Sequence, residues 1–378
     1  MTRAYFVSRI ILRPALFAAG LASLLAACSS DDGGAGGASA ACVGGKRASS
    51  ALTAVDSSEF CAADEASLDA EYPCTYTLQC CGVALKAAAV ELARSPNVEE
   101  YSGSGAPQVA CFSAAGYPDK PGTSSKVTVE GIAKLFSHGC ESHDLKIEYW
   151  TVKRTGGADD GEPDALVGTA VTTPTSCEGA NGVESTKNDP DKCSTATEKP
   201  WHCKYTYADV PSETELLIKT SGGSYQALYE YNVFIPNADV KNGTFTKDVR
   251  ALVKDDYNTI AQVALGSSIT PTHGAVAGEV HDCGDVRLLN AVVDIDADKK
   301  QLVYFSNDED HPLPDQTADS TGVLGLYAAI DVKPGPVTVA AVGLVGDKPT
   351  AVGFFNARVF PDSVTSVTFR GLRPFQVP

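Results

Sequence analysis

Beyond residue 125 the chain alternates hydrophobic and polar positions with a period of two. Val127-Thr-Val-Glu, Leu145-Lys-Ile-Glu-Tyr149, Tyr205-Thr-Tyr-Ala, Asn290-Ala-Val-Val-Asp-Ile295 and Val337-Thr-Val-Ala340 are short runs of β-branched and aromatic residues. Gly, Pro and Asp turns separate them, a pattern that half-buried antiparallel strands leave in a sequence. About seven such strands fit each of the stretches 123–250 and 273–378, enough for a small β-sandwich whose two sheets bury their apolar faces together. Two segments break the alternation. Gly82 to Arg94 is rich in strong helix formers and stops before Pro96, which predicts a helix. Asp255-Asp256 ahead of Tyr257-Asn-Thr-Ile-Ala-Gln-Val-Ala predicts another within a connector over 251–272.

The strand landmarks recur. Val127-Thr-Val-Glu-Gly131 is echoed by Gly274-Ala-Val-Ala-Gly278, and each leads through a polar stretch holding a Cys (Cys140, Cys283) to a strand-like segment. Tyr205-Thr-Tyr-Ala-Asp209-Val210 matches Leu326-Tyr-Ala-Ala-Ile-Asp331-Val332, and Tyr231-Asn-Val-Phe-Ile-Pro236 matches Phe355-Asn-Ala-Arg-Val-Phe-Pro361. The offset is 147 at the first landmark (278 − 131) and 122 at the second (331 − 209), so the first copy carries 25 extra residues (147 − 122). They fall in the polar insertion 154–201. The reading is an internal duplication.

The N-terminus has a different character. Behind Arg3, Arg9 and Arg13 runs Pro14 to Ala27, 14 mostly apolar or small residues. A spanning helix needs about 20, so this is the hydrophobic region of an export signal. It ends in Leu25-Ala26-Ala27-Cys28, small residues followed by a thiol, which resembles the lipobox of bacterial lipoproteins. The resemblance implies cleavage of 1–27, diacylglycerol on Cys28, N-acylation, and attachment to a lipid bilayer. Ser29 after the lipidated Cys implies the outer membrane. Residues 28–41, rich in Gly, Ser and Ala, cannot bury anything and serve as a flexible tether.

Charge narrows the partners. The 378-residue chain has 30 basic and 47 acidic residues, a net charge of −17. Without the leader the balance becomes −20 (27 − 47). Nucleic acid is excluded as a partner, because phosphate binding needs clustered Lys and Arg; a basic patch for anionic lipid is absent for the same reason.

Twelve cysteines indicate an oxidising compartment. Apart from Cys28 they group as six (Cys42, Cys61, Cys74, Cys80, Cys81, Cys111), four (Cys140, Cys177, Cys193, Cys203) and one (Cys283). Pairing within each even group leaves 15 and 3 connectivities open and Cys283 as a free thiol. Residues 42–122 then form a Cys-rich, partly helical module braced by cross-links.

Gly131 and Gly278 entering strands, Asp319-Ser-Thr-Gly322, Tyr327, Asp331-Val332, Pro334-Gly335 and Val337-Thr-Val339 resemble carboxypeptidase regulatory-like domains, which are transthyretin-type β-sandwiches. The second copy carries the resemblance; the first departs from it, with Pro211-Ser-Glu in place of Pro-Gly and the long insertion. The fold expected is mainly β: two tandem transthyretin-like sandwiches joined by a short helix, after the Cys-rich module and the signal peptide.

Catalytic patterns are sparse. His138-Gly-Cys-Glu141 has the short zinc-carboxypeptidase spacing, but about one such match is expected by chance from six His and 47 acidic residues. No nucleophile elbow, His-Glu-x-x-His helix or phosphate loop occurs. Asp294-Ile-Asp-Ala-Asp298 lacks the Gly and Glu that an EF-hand needs, having Lys299 and Phe305 there. His138, His143 and His281 read as exposed turn histidines. No cofactor, metal or catalytic residue is expected. Trp150, Trp201, Tyr205 and Tyr207, in or beside the insertion, form the candidate ligand platform, since sugars stack on flat rings. The function expected is a non-catalytic binding or scaffolding role at the cell envelope, with envelope proteins or polysaccharide as partners; the alternative is a carbohydrate- or peptide-binding accessory module, and a divergent hydrolase comes third.

Overall fold

A computed structural model describes residues 83–112, 121–136, 142–155, 158–175, 203–309, 311–346 and 348–371, together with 42–43, 46–47, 75–78, 177–178, 184–185 and 374. The leader, Cys28, the tether and Trp201 lie outside the described residues, as do Cys61, Cys74, Cys80, Cys81, Cys140 and Cys193.

The chain is mainly β. Short strands come first: β1 (Cys42–Val43), β2 (Lys46–Arg47), β3 (Thr75–Leu78), β4 (Val83–Lys86) and β5 (Ala93–Arg94). The first half holds β6 (Lys126–Leu135), β7 (Lys146–Val152), β8 (Pro163–Thr172), β9 (Cys177–Glu178), β10 (Glu184–Ser185), β11 (Cys203–Pro211), β12 (Leu216–Ser221), β13 (Tyr225–Val233), β14 (Thr244–Thr246) and β15 (Val249–Val253). Helix α1 (Lys254–Leu265) follows. The second half holds β16 (Gly274–Glu279), β17 (Leu288–Leu289), β18 (Val292–Ile295), β19 (Gln301–Phe305), β20 (Pro314–Asp315), β21 (Leu326–Val332), β22 (Gly335–Val345), β23 (Lys348–Val359) and β24 (Ser363–Val367).

The strand pairings of the two halves correspond. β6 runs antiparallel to β11 and parallel to β15, as β16 does to β21 and β24. β12 lies antiparallel to β7 and β13, as β22 does to β18 and β23. One strand differs: β8 pairs with β7, whereas β19 joins the other sheet beside β21.

The register is shared as well. Gly131 sits opposite Tyr205 and Gly278 opposite Tyr327. The Tyr205 hydroxyl donates to the Lys247 carbonyl at 2.7 Å and the Tyr327 hydroxyl to the Val367 carbonyl at 2.6 Å. In each half that carbonyl lies over the glycine, 1.9 Å from where a Cβ would be. Four residues after each tyrosine an Asp takes a positive φ, 62° at Asp209 and 60° at Asp331.

Alternation places the cores. Along β11, Cys203, Tyr205 and Tyr207 point inward while Lys204 and Thr206 face solvent. β21 is buried at all seven positions because both its faces are covered: Tyr327 and Ala329 enter the main core, while Leu326, Ala328 and Ile330 join a cluster with Ala264 of α1. The helix starts with Asp255 and Asp256 in its first turn and ends at Gly266, whose φ of 67° suits glycine.

The halves are fused. β13 pairs in parallel with β24 over five residues, Ala227–Tyr231 against Ser363–Val367, so one sheet runs through both. Leu217 and Tyr231 of the first half belong to the core cluster of the second. Arg154, 11% exposed, binds Glu215 and donates to the Asn356 carbonyl at 2.9 Å. Lys219, Tyr229, Phe360 and Arg358 stack in sequence across the seam, with the two rings 4.2 Å apart.

The helix expected over 82–94 is absent; the segment contains β4 and β5. Ala93 and Arg94 pair with Leu289 and Leu288, and Leu92 fills the space over Gly343 in the core of the second half. Tertiary burial of Leu92 overrides the local helix preference. Residues 91–112 form a strap along the second half rather than part of a separate module. Leu92 N–H donates to the Leu344 carbonyl, Ser95 N–H to Arg287, and Cys283 N–H to Gln108. Phe112 closes the strap in the same core.

Cys283 is not a free thiol: it is bonded to Cys111, 172 residues away. Grouping cysteines by nearness along the chain fails because the strap brings Cys111 to Cys283, in the segment between β16 and β17. Cys203 is disulfide-bonded too.

Candidate functional site

Of the expected aromatic platform, Trp201 lies outside the described residues, and the two tyrosines do not face solvent. Tyr205 and Tyr207 are 5% and 0% exposed, inside the first core. Their hydroxyls are occupied, Tyr205 by Lys247 and Tyr207 by the Val167 carbonyl at 2.6 Å, and Tyr149 donates to Tyr205 at 3.0 Å. Burial pushes all three phenols up. Trp150 is half-buried and packs against the core shared by the two halves. Its Nε1 is enclosed with no hydrogen-bond acceptor. A strand at period two carries rings inward as readily as outward.

Other expected features are accounted for locally. Asp294 pairs with Lys299 at 2.6 Å, Asp298 pairs with Lys333 at 2.6 Å, and Asp296 accepts from the Thr338 N–H at 2.8 Å. His143 faces Asp144 at 3.1 Å. Among the described residues no group of three or more His, Cys, Asp and Glu side chains is arranged to hold a metal ion.

The densest polar constellation lies where the strap crosses both halves. β16 ends at Glu279 and the chain continues as Val280-His281-Asp282, with the side chains of Glu279 and His281 meeting on one side. His281, read from sequence as an exposed turn residue, is fully buried. Its Nε2 is 2.7 Å from Glu279 Oε2 and its Nδ1 2.7 Å from Asp285 Oδ1. Both ring nitrogens therefore face a carboxylate oxygen within hydrogen-bond distance. The Tyr101 ring, held by a residue with φ of 57°, lies 4.8 Å from the His281 ring. The Arg287 and Arg370 guanidinium groups sit 5.7 and 5.4 Å from its centroid.

Adjacent strap residues divide between the halves. Glu100 binds Lys134 and Arg250 of the first half, and Lys134 also reaches Asp248 at 2.9 Å. Tyr101 stays with the second, its carbonyl accepting the Arg287 N–H at 2.9 Å. Farther along, Arg94 Nε meets the fully buried Asp282 carboxylate at 2.6 Å. Asp282 also accepts from the N–H groups of Gln108, Gly284 and Val286.

Burial alone would raise these carboxylates. For Glu279, His281, Arg287 and Arg250 outweigh burial and hold the group well below the usual range. For Glu100, Arg250 and Lys134 do the same, and for Asp282, Arg94 and three N–H groups. Each charge closes on a protein partner, so the chemistry of this site is that of a clamp. Sequence reasoning missed it; the one available signal was a Glu-x-His pair at the end of a strand.

No family model matches the chain, and no curated protein matches it. Among solved structures it is similar to the shaft pilin SpaA of Lactobacillus rhamnosus GG, at 10% identity and TM-score 0.21, over 65% of this chain and 98% of the pilin. It is also similar to a streptococcal ancillary pilin, at 11% identity and TM-score 0.18, over 65% of this chain and 62% of that one. The Bacillus anthracis TIE protein follows at 9% identity and TM-score 0.17, over 64% and 33%. Likenesses of this size carry no functional weight.

Proposed function

We propose that this chain is an exported lipoprotein, acylated on Cys28 and held at the outer membrane, whose body is a non-catalytic scaffold of two tandem transthyretin-type β-sandwiches. The anchor rests on Leu25-Ala26-Ala27-Cys28 behind the apolar run. The scaffold role rests on one observation, the β13–β24 pairing that joins the halves into a single sheet. A body fused this way, clamped by the strap, keeps the two halves at fixed spacing on the end of a flexible tether. Its partners are envelope proteins; of the rings a polysaccharide-binding alternative would use, Tyr205 and Tyr207 are buried.

Fractionation of cells expressing the wild type and Cys28→Ala tests the anchor. The wild type should sediment with membranes, and the variant should be soluble or retained as an uncleaved precursor. Cleaved variant that stays on the membrane would contradict the proposal.

A further inference from the structure

We propose that the chain requires a partner of the thiol–disulfide isomerase class to reach its Cys111–Cys283 pairing. Three cysteines lie much closer to Cys111 along the chain than Cys283 does: Cys140, Cys81 and Cys80 are 29, 30 and 31 residues away (140 − 111, 111 − 81, 111 − 80), against 172 for Cys283. Loop-closure probability falls as about the three-halves power of length, so in the unfolded chain Cys111 meets each near cysteine about fourteen times as often as Cys283.

Local folding does not shield Cys111 in the meantime. The strap docks on residues made much later: Leu92 and Phe112 enter a core built mostly from 276–369 with Leu217 and Tyr231, and the main-chain bonds go to Cys283, Arg287 and Leu344. Gly371 closes over the Cys111 sulfur, 2.1 Å from where a Cβ at that glycine would be. Synthesis order adds to the bias, because Cys283 is the last of the cysteines. A dithiol oxidase that passes its own disulfide to cysteines in order of appearance, and is itself reduced to the dithiol, therefore joins Cys111 to a near neighbour and leaves Cys283 as a thiol.

The correction is redox-neutral. An isomerase thiolate attacks the Cys111 sulfur of the mispaired bond, forming a mixed disulfide and releasing the near cysteine as thiolate. The Cys283 thiolate then attacks Cys111, forms the native bond and regenerates the isomerase thiolate; the Cys283 proton ends on the released cysteine. Strap docking makes this exchange favourable by burying Leu92 and Phe112.

The test uses the purified chain 28–378, reduced and unfolded, reoxidised by a sulfhydryl oxidase with or without a purified disulfide isomerase. Acid quenching, proteolysis and mass spectrometry count the cross-linked peptides. With oxidase alone the Cys111–Cys283 peptide should be at least several-fold scarcer, with Cys111 joined to Cys80, Cys81 or Cys140 instead; added isomerase should restore it. Equal yields of Cys111–Cys283 in both reactions would overturn the proposal. Native yield unchanged by isomerase while the mispaired peptides persist would overturn it as well. Both readouts are independent of where the protein resides in the cell.

Discussion

Tyr327 donates its hydroxyl proton to the Val367 carbonyl at 2.6 Å, directly above Gly278. Tyr205, Lys247 and Gly131 repeat the arrangement in the first half. In both halves a buried phenol satisfies a carbonyl that approaches too closely to tolerate any side chain but hydrogen.

Substitution at the two glycines should therefore be costly. A Cβ at Gly131 or Gly278 would lie 1.9 Å from a backbone oxygen, which the pleat cannot accommodate without moving a strand. Gly131→Ala and Gly278→Ala should each lose about 2–4 kcal/mol. Tyr327→Phe should lose about 1–3 kcal/mol, the cost of an orphaned buried acceptor. Urea denaturation measures both; an Ala variant as stable as the wild type would refute the shared lock.

The disulfide predicts a specific labelling pattern. Alkylation under denaturing, non-reducing conditions should leave Cys111 and Cys283 unmodified, and modification at either would contradict the pairing. Closing a loop of 172 residues is worth about 5 kcal/mol of unfolded-chain entropy. Cys283→Ala should lower the denaturation midpoint accordingly, less any residual order in the unfolded chain. An unchanged midpoint would show that the strap holds without the bond.

Acid should loosen the clamp. Glu279, Glu100 and Asp282 all bind protons less readily folded than unfolded. Their contribution is complete above the unfolded values, about 4–4.5, and disappears as pH falls through the lower folded ones. Stability to urea should be flat from pH 7 to about 5 and decline below. Glu279→Gln should be less stable at pH 7, because it leaves His281 and Arg287 short of an acceptor, and should show a shallower acid decline. An acid limb identical to wild type would remove Glu279 from the clamp.

Much of this fold was legible because strand periodicity and turn residues are local. The Gly131/Gly278 and Tyr205/Tyr327 landmarks, matched from sequence, stand opposite one another in register. The helix expected after Asp255-Asp256 forms, over Lys254–Leu265. What was illegible depends on distant contacts. Ala-rich 82–94 becomes extended because Leu92 meets Gly343, and Cys111 finds Cys283 because the strap pairs with β17 and bonds to the segment after β16. The period-two pattern shows that Tyr205 and Tyr207 share a face, not which face is covered. His281 looked exposed because its shelter comes from Tyr101, far away along the chain.

The proposed anchor is the claim on which the lipoprotein account depends, and the mass of the N-terminal peptide tests it most directly. Cells fed a palmitate analogue should yield a peptide beginning at Cys28 that carries diacylglycerol and an N-acyl chain. An N-terminal peptide that starts elsewhere, or starts at Cys28 without lipid, would contradict the account.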